Sequence, residues 1–355
     1  MREIPSAKNL VLPVLIVGAI FIAQWMRAQQ TLPIWHYEGQ IMGTTFTIKV
    51  IHPIEVAFDP ISKALEQVNE KMSTYLADSE LSKLNQGPSN QVLPVSSELR
   101  VVLQAARKVS RLSNDFFDIT VGPLVNAWGF GPNKERKEPS RTEIETLKAY
   151  LGSHLWKIGE EGVIKQNQNL YLDLSAIAKG YAVDQVAKVL DKNQVLHYWI
   201  EVGGEVRVKG QNAQKKAWRV GIERPAGKEK RRIYKILNLS NMSVATSGDY
   251  RNRYLDSSGK VRSHTINPKT GEPVSHLLAS VSVLHEECMY ADAWATALNV
   301  MGMEDGLKLA DQLGLAALFI QREGVTPKEV DLDGKNTKYK AYESKVLKQL
   351  LGQRK

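Results

Sequence analysis

The chain has 355 residues, and its 43% hydrophobic and 24% charged residues are a normal globular mixture that can bury a core. Its 47 Lys and Arg against 38 Asp and Glu give a net charge of +9, which is spread over loop-like runs such as residues 133–141 and 227–232. No RNA-recognition signature, zinc-finger spacing or basic zipper accompanies that charge, so we interpret it as a solvated basic surface and expect no nucleic-acid partner. Cys288 is the only cysteine, which excludes an intramolecular disulfide and a cysteine-based metal cluster.

Residues 1–35 differ in composition from the rest of the chain. Arg2 and Lys8 precede an uncharged run over residues 9–26, which is longer than a usual signal-peptide core and slightly short for a spanning helix. No small-x-small cleavage pattern follows it. We therefore predict an uncleaved signal anchor, with the basic residues inside and the chain from about residue 30 exported. A cleaved signal peptide and a buried terminal helix are the alternatives.

The next part of the chain alternates between strand and helix patterns. Residues 44–51 alternate and are rich in β-branched side chains, which predicts a strand. Apolar spacing predicts helices over about 58–72, 96–113 and 141–152. The second of these begins at a capping serine and the third ends at a glycine.

The second half of the chain continues this mixture. Further strands are predicted at 155–158, 162–165, 169–174, 197–209, 217–223, 233–240, 242–246, 279–284 and 316–320, and further helices at 175–192, 289–302 and 304–313. Without a regular βαβ rhythm, this order favours an α+β fold with mixed or antiparallel sheets and packed helices. We predict an anchor and linker (1–35), one main domain (36–325) and a basic C-terminal tail (326–355), to which we assign no chemistry.

One helical segment carries two oxygen donors on one face. The stretch ADAWATAL (291–298) places Asp292 and Thr296 one helical turn apart, so that both side chains can reach one point. Hard oxygen donors suit Mg²⁺ or Ca²⁺ better than zinc. Alternatively, Thr296 bonds back to a carbonyl of the preceding turn while Asp292 faces water or caps a neighbouring segment. This segment alone leaves both interpretations open.

Several other stretches contain more Gly, Asp, His and Ser than ordinary turns require. They are IMGTTF (41–46), MSTYLADSELSKLN (72–85), FFDITVGPLVNAWGFGP (116–132), LDLSAIAKGYAVD (172–184), EVGGEVRVKG (201–210), VATSGDYRNRY (244–254) and SHTINPKTGEPV (263–274). Together with ADAWATAL, and in this order, they resemble the ApbE family of FAD:protein FMN transferases over residues 36–320. A single GG or a single HxxNP occurs by chance in many proteins, whereas eight such stretches in one order are specific.

The resemblance implies an ApbE-like, T-fold-like enzyme of the bacterial inner membrane, whose transferase domain (36–325) faces the periplasm. It implies Mg²⁺-dependent transfer of FMN from FAD to a Thr or Ser hydroxyl of a target protein through a phosphoester bond, with release of AMP. The implied acceptors are subunits of sodium-pumping quinone reductase or of related envelope electron-transfer complexes. An FAD pyrophosphatase, in which water replaces the hydroxyl, and a non-catalytic flavin carrier are the alternatives.

Phosphoryl transfer requires a cation, a positioned nucleophile and a group that accepts its proton. Asp292 and Thr296 meet the first requirement, and by resemblance the third metal ligand is the backbone carbonyl of Ala176. His264 can exchange protons near neutral pH, and by resemblance it faces the pyrophosphate. Asp249 is an alternative general base. Asn267 stands where the family usually has Asp, so we assign it no proton-transfer role.

The flavin nucleotide needs an apolar, partly aromatic slot with a few polar contacts. By resemblance, the residues that line it are Met42, Tyr75, Phe116, Phe117, Asp118, Asp173, Lys179 and Ile266. Tyr75 matches the position that stacks on the flavin ring. For Phe116 and Phe117 an ordinary core position is the alternative, and for Asp173 and Lys179 a capping residue and a surface residue.

Overall fold

The computed structural model describes residues 17–18, 32–131, 138–225, 232–249, 252–257, 259, 261–326, 329–330 and 337–352. The predicted anchor run lies outside these residues, apart from positions 17 and 18. In the described part of the chain, no helix has both the length and the apolar character that crossing a membrane requires.

The strands and helices are short and alternate irregularly along the chain. The strands are β1 (Ile34–Ile41), β2 (Thr44–Ile51), β3 (Val92–Leu93), β4 (Trp156–Ile158), β5 (Val163–Lys165), β6 (His197–Val202), β7 (Glu205–Lys209), β8 (Trp218–Glu223), β9 (Ile233–Leu239), β10 (Met242–Gly248), β11 (Arg253–Leu255), β12 (Val261–Ser263), β13 (Leu278–His285), β14 (Ala316–Glu323) and β15 (Lys338–Glu343). The helices are α1 (Phe58–Met72), α2 (Glu80–Gln86), α3 (Ser97–Leu112), α4 (Gly122–Ala127), α5 (Arg141–Lys148), α6 (Ala178–Lys192), α7 (Cys288–Met301), α8 (Met303–Leu313) and α9 (Lys345–Gly352), with a 3₁₀ turn at Ser153–Leu155.

Within the described residues, the largest sheet has eight strands in the order β1-β2-β6-β7-β10-β13-β14-β15. Every neighbouring pair in it is antiparallel. Smaller sheets join β3, β5 and β4, pair β8 with β9, and pair β11 with β12. The predicted α+β class with antiparallel sheets and packed helices is therefore confirmed.

Both faces of the large sheet are covered. Strand β14 shows this most clearly, because Phe319 packs into the main core on the helical side while Leu318 and Ile320 pack into a second core with α9 and the β8–β9 pair. A strand buried on both faces is expected to read as a continuous apolar run, as the stretch AALFI does. Helices α1, α3, α6 and α7 supply most helical side chains of the main core.

The structure differs from the prediction at two of the predicted strands. Residues 197–209 form the hairpin β6–β7, because Gly203 and Gly204 take positive φ angles of 63° and 107° and reverse the chain. Residues 169–174 form no strand, although Leu170, Leu172 and Leu174 alternate in burial. The Asn85 side chain donates to the Leu172 carbonyl at 2.9 Å and accepts from the Leu172 N–H at 2.8 Å, so it takes the place of a strand partner.

The predicted C-terminal tail is corrected for residues 337–352. Strand β15 adds to the edge of the large sheet, and α9 buries Leu347 completely in the second core. The Ser344 hydroxyl, between β15 and α9, links them to the start of β14 by accepting from the Ala317 N–H at 2.9 Å and donating to the Leu315 carbonyl at 2.7 Å. The sequence KYKAYE is too polar to be recognised as a strand without the β14 edge beside it.

Replacing Leu347 by Ala is expected to lower the free energy of unfolding by about 2–5 kcal/mol, because it leaves a cavity in the second core. The matched control is Leu313→Ala at the end of α8, where the side chain is 37% exposed and the expected loss is about 0.5 kcal/mol or less. Urea unfolding of both variants measures the difference. Equal, small losses would show that α9 is not part of the folded core.

The loop that follows α3 contains a buried carboxyl group. Asp118 accepts hydrogen bonds from the Thr120 N–H at 2.8 Å and the Thr120 hydroxyl at 2.7 Å, and that hydroxyl accepts from the Gly152 N–H at 2.8 Å. Burial raises the pKa of Asp118 to about 6, against the opposing effect of the two bonds from Thr120. Thr120 thus links the loop to Gly152, before β4, while it also bonds the Asp118 carboxyl group, whose ionised form is disfavoured by burial.

The stability of the protein should therefore depend on the ionisation of Asp118. Its folded-state pKa of about 6 lies above the unfolded value of about 3.9, so the folded protein binds more protons between these values and loses stability as the pH rises through them. Relative to Asp118→Asn, the wild-type protein is expected to lose about 3 kcal/mol as the pH rises from about 3 to about 7. Urea unfolding of both proteins over this pH range measures the difference in their free energies of unfolding. A difference that does not vary with pH would refute the prediction.

Candidate active site

A cavity of about 370 Å³ lies beside helices α6 and α7. Most of the residues predicted for the site line it, namely Tyr75, Phe116, Phe117, Asp118, Asp173, Ala176, Lys179, His264, Ile266, Asp292 and Thr296. Met42 and Asp249 are not among the lining residues. The fold therefore brings together eleven of the thirteen predicted residues, from segments that are far apart in the sequence.

Helix α7 supplies Asp292 and Thr296 to this cavity. Asp292 is 5% exposed, and its Oδ2 accepts a hydrogen bond from the Gly180 N–H at 3.1 Å. Helices α6 and α7 are in close contact at Gly180, where a Cβ would lie 2.4 Å from the Cys288 carbonyl oxygen. A residue without a side chain is therefore required at position 180 if the carboxylate is to reach the backbone of α6.

The bond from Gly180 to Asp292 also affects Ala176. In a continuing α-helix the N–H of Gly180 would donate to the carbonyl four residues earlier, which is that of Ala176. Here it donates to the Asp292 carboxylate. Ala176 lines the cavity, and its carbonyl oxygen is thereby available to another hydrogen-bond donor or to a metal ion. This is the residue whose carbonyl the resemblance assigns to the metal.

Lys179 lies between two buried carboxylates. Its Nζ is 3.2 Å from Oε1 of Glu205 on β7 and 3.7 Å from Oδ2 of Asp292 on α7. Burial disfavours its charge, but the attractions to Asp292 and Glu205 outweigh that effect and raise the pKa of Lys179. Lys179 is therefore held as a cation inside the site, and is not the surface lysine of the alternative interpretation.

Glu205 was missed by the sequence reasoning. It is 3% exposed, lines the cavity, and has a buried Oε2 that finds no hydrogen-bond partner among the described residues. Burial raises its pKa to about 8, Lys179 opposes the rise and Asp292 adds to it. The sequence does show a charged residue directly after the Gly203–Gly204 turn. Whether the side chain of Glu205 points into the cavity, however, depends on how the β6–β7 hairpin folds.

This cluster fits a bound cation. Glu205 and Asp292 share the single positive charge of Lys179, and Oε2 of Glu205 is buried without a hydrogen-bond partner among the described residues. The raised pKa of Glu205 favours its protonated form, and a bound cation could take the place of that proton. Across the described residues, no three His, Cys, Asp or Glu side chains meet in a metal-binding group. The predicted ligands Asp292, Thr296 and the Ala176 carbonyl therefore stay a prediction.

The other end of the cavity is aromatic. Tyr75 is 62% exposed at the cavity, whereas Phe117 is only 2% exposed and also packs into the main core. Phe116 lies under Lys269, whose Nζ is 4.1 Å from the ring centroid, an arrangement typical of a cation–π contact. The two phenylalanines thus differ, since Phe116 contacts the exposed Lys269 whereas Phe117 is part of the main core.

His264 lies in the same cavity, and its ring is edge-on to Phe130 with the centroids 6.4 Å apart. Its Nδ1 is 3.2 Å from the Asn252 carbonyl oxygen. That carbonyl can only accept, so the contact favours the tautomer with the proton on Nδ1 and the basic lone pair on Nε2.

Asp173 and Ser247 contribute polar groups that are already engaged with the protein. Asp173 Oδ1 accepts from the Ser175 N–H at 2.8 Å and the Ser175 hydroxyl at 2.6 Å, but it does not cap α6, whose N-cap residue is Ile177. The Ser247 hydroxyl, at the end of β10, accepts from the Asn299 side chain at 3.1 Å. Both residues line the cavity. Their hydrogen bonds to the protein fix these two side chains before any ligand binds.

The remaining two predicted residues lie elsewhere. Met42 has a φ of 53° in the turn between β1 and β2, and its side chain packs against the main core. Asp249 is 7% exposed and forms an ion pair with the buried Arg322 of β14. Because that guanidinium already holds the carboxylate, the geometry gives no support to Asp249 as a general base.

The sequence of this chain is similar to those of known flavin transferases. The ApbE family model matches residues 42–319. An FAD:protein FMN transferase from Vibrio cholerae is 40% identical over 291 residues, which cover 80% of this chain and 86% of the relative. Another from Haemophilus influenzae is 37% identical over 323 residues, covering 87% and 93%.

Solved structures give the same result. The flavin transferase ApbE from Vibrio cholerae matches with a TM-score of 0.78 at 37% identity, covering 89% of this chain and 99% of that one. The apo form of the Pseudomonas stutzeri flavinyl transferase ApbE matches with a TM-score of 0.79 at 33% identity, covering 90% and 97%. These matches confirm the predicted ApbE-like α+β fold and the prediction of an enzyme of the transferase class. The chain belongs to the ApbE family.

Proposed function

We propose that this chain transfers FMN from FAD to a Thr or Ser hydroxyl of a target protein, with Mg²⁺ as its metal and AMP as the leaving group. The observation that carries the proposal is that Asp292, Thr296 and His264 line one cavity with aromatic walls. The relatives named FAD:protein FMN transferase support the same activity.

Seven of the residues that line the cavity have a role in the proposed reaction. Asp292, Thr296 and the Ala176 carbonyl would hold Mg²⁺, which neutralises charge on the phosphate oxygens when bound. Lys179 adds a fixed positive charge beside them. The acceptor hydroxyl attacks the phosphorus of the FMN half, the bond to the AMP oxygen breaks, and Nε2 of His264 takes the hydroxyl proton. Tyr75 and Phe116 offer aromatic surface to the flavin ring.

The location and the acceptor are also proposed. The uncharged run over residues 9–26, with basic residues before it, supports a signal anchor in the bacterial inner membrane and a catalytic domain in the periplasm. Acceptors in that compartment would be subunits of sodium-pumping quinone reductase or of related electron-transfer complexes. The family resemblance supports this choice, which an acceptor screen can test.

Replacing Asp292 by Ala is expected to lower the rate of FMN transfer about 100-fold or more, the size of loss expected when one preorganised charge-stabilising group is removed. The assay is mass spectrometry of a Thr-containing acceptor domain of a quinone reductase, incubated with the full-length protein, FAD and Mg²⁺. Asp305→Ala, an exposed acidic residue in the first turn of α8, is the matched control and should transfer normally.

The products distinguish the alternatives. A mass gain of one FMN, dependent on Mg²⁺ and lost in Asp292→Ala, supports the transferase. Free FMN and AMP beside an unmodified acceptor indicate a pyrophosphatase or a wrong acceptor. FAD that stays intact under all conditions contradicts the proposal and favours a flavin carrier.

His264→Gln is expected to slow transfer by about 10²–10⁴-fold, the usual contribution of a general base, while FAD binding stays the same. Single-turnover rates at saturating FAD, together with flavin fluorescence titration, separate the two quantities. His36→Gln on the exposed edge strand β1 is the control. A loss confined to FAD affinity would assign His264 to substrate binding instead of proton transfer.

A further inference from the structure

Three ion pairs join strand β7 to helix α6. The strand residues are two positions apart and therefore share one face of the sheet. The pairs are Glu205 with Lys179 at 3.2 Å, Arg207 with Asp184, and Lys209 with Asp191 at 2.8 Å. The first pair belongs to the cavity, the third lies at the surface, and the second is distinguished by what else Asp184 contacts.

Asp184 caps a helix other than its own. The first N–H groups of an α-helix have no partner within the helix, and the N-cap residue of α7, Glu287, makes no side-chain capping bond. Instead, Asp184 Oδ1 accepts from the Cys288 N–H at 3.0 Å and Oδ2 accepts from the Met289 N–H at 2.9 Å. Asp184 is 6% exposed, and a carboxylate at this end also interacts favourably with the helix dipole.

A second contact between α6 and α7 runs in the opposite direction. Gly180, one turn before Asp184 on α6, donates its N–H to Asp292, one turn after Cys288 on α7. Each helix therefore holds the other by a carboxylate on a backbone N–H. With these contacts one turn apart on each helix, α7 can neither slide nor rotate against α6 without breaking both.

We propose that Asp184, held in place by Arg207, is a positioning residue that fixes the start of α7 and thereby places Asp292 and Thr296 for the cation. The inference rests on the cation site of the proposed function. Asp184 itself does not line the cavity. Its effect passes through the first turn of α7, and small displacements of a ligand are costly because the productive geometry is narrow.

The test compares Asp184→Asn with Asp191→Asn in the full-length protein. Asp191 is the matched control because it pairs with the same strand from the same helix but its pair lies at the surface. The readouts are the rise in Tm on adding Mg²⁺ alone, the Mg²⁺ concentration for half-maximal transfer, the kcat and KM for FAD, and FAD affinity without metal.

Asp184→Asn is expected to need about 10- to 100-fold more Mg²⁺ for both the Tm shift and transfer, the usual effect of losing a group that orients a metal ligand. FAD affinity without metal and the KM for FAD at saturating Mg²⁺ should stay unchanged, whereas a general loss of folding would move them too. Asp191→Asn should behave as wild type. An unchanged Mg²⁺ requirement in folded Asp184→Asn, or an equal change in Asp191→Asn, overturns the inference.

If Asp184→Asn does not fold, Asp184→Glu decides. It keeps the charge opposite Arg207, but its longer side chain cannot put both oxygens where Cys288 and Met289 need them. A raised Mg²⁺ requirement in this variant supports the inference, and a wild-type requirement overturns it. If Mg²⁺ changes neither the Tm nor the transfer rate of the wild-type protein, the proposed cation site itself is refuted. This outcome is distinct from the two above, and it overturns the inference as well.

Discussion

The site depends on the placement of the half-buried Lys179 between the buried carboxyl groups of Glu205 and Asp292. Removing charged groups from water is costly, and a buried ion pair often stabilises a fold no better than apolar residues of the same size would. Here burial, with a smaller contribution from Asp292, raises the pKa of Glu205 to about 8, so this carboxyl group favours a proton that a bound cation could replace. Such a cluster contributes little to folding but favours a cation in the cavity, so we attribute it to the chemistry of the site.

Helix α7 contributes Asp292 to this cluster and packs tightly against its surroundings. Its stretch from Ala291 to Ala297 has alanine at every second position, and most of the helix is buried on all sides. Small side chains let the sheet and α6 approach closely, and Gly180 completes the approach by leaving room for the Cys288 carbonyl. A site on a rigid, fully packed helix holds its ligands more accurately than one on a loop.

The sequence predicted what depends on local periodicity and missed what depends on tertiary contacts. Asp292 and Thr296 were placed on one face because helical spacing alone determines it. The motif order predicted the family and most of the cavity lining. Glu205 was missed because its direction depends on the turn at Gly203 and Gly204, and the helix-capping contact of Asp184 because it joins two helices about a hundred residues apart in the sequence.

The same distinction explains why the segment 172–177 forms neither strand nor helix and is still held by defined hydrogen bonds. Side chains take over the backbone bonding that a ladder or helix would provide, with Asn85 on Leu172 and Asp173 on Ser175. Asp292 takes the N–H of Gly180 in the same way. A strand or an early helix here would use the carbonyls of the segment in its own hydrogen bonds. Because side chains satisfy the N–H groups instead, the Ala176 carbonyl can face the cavity, and a backbone oxygen becomes a ligand that no side-chain pattern reveals.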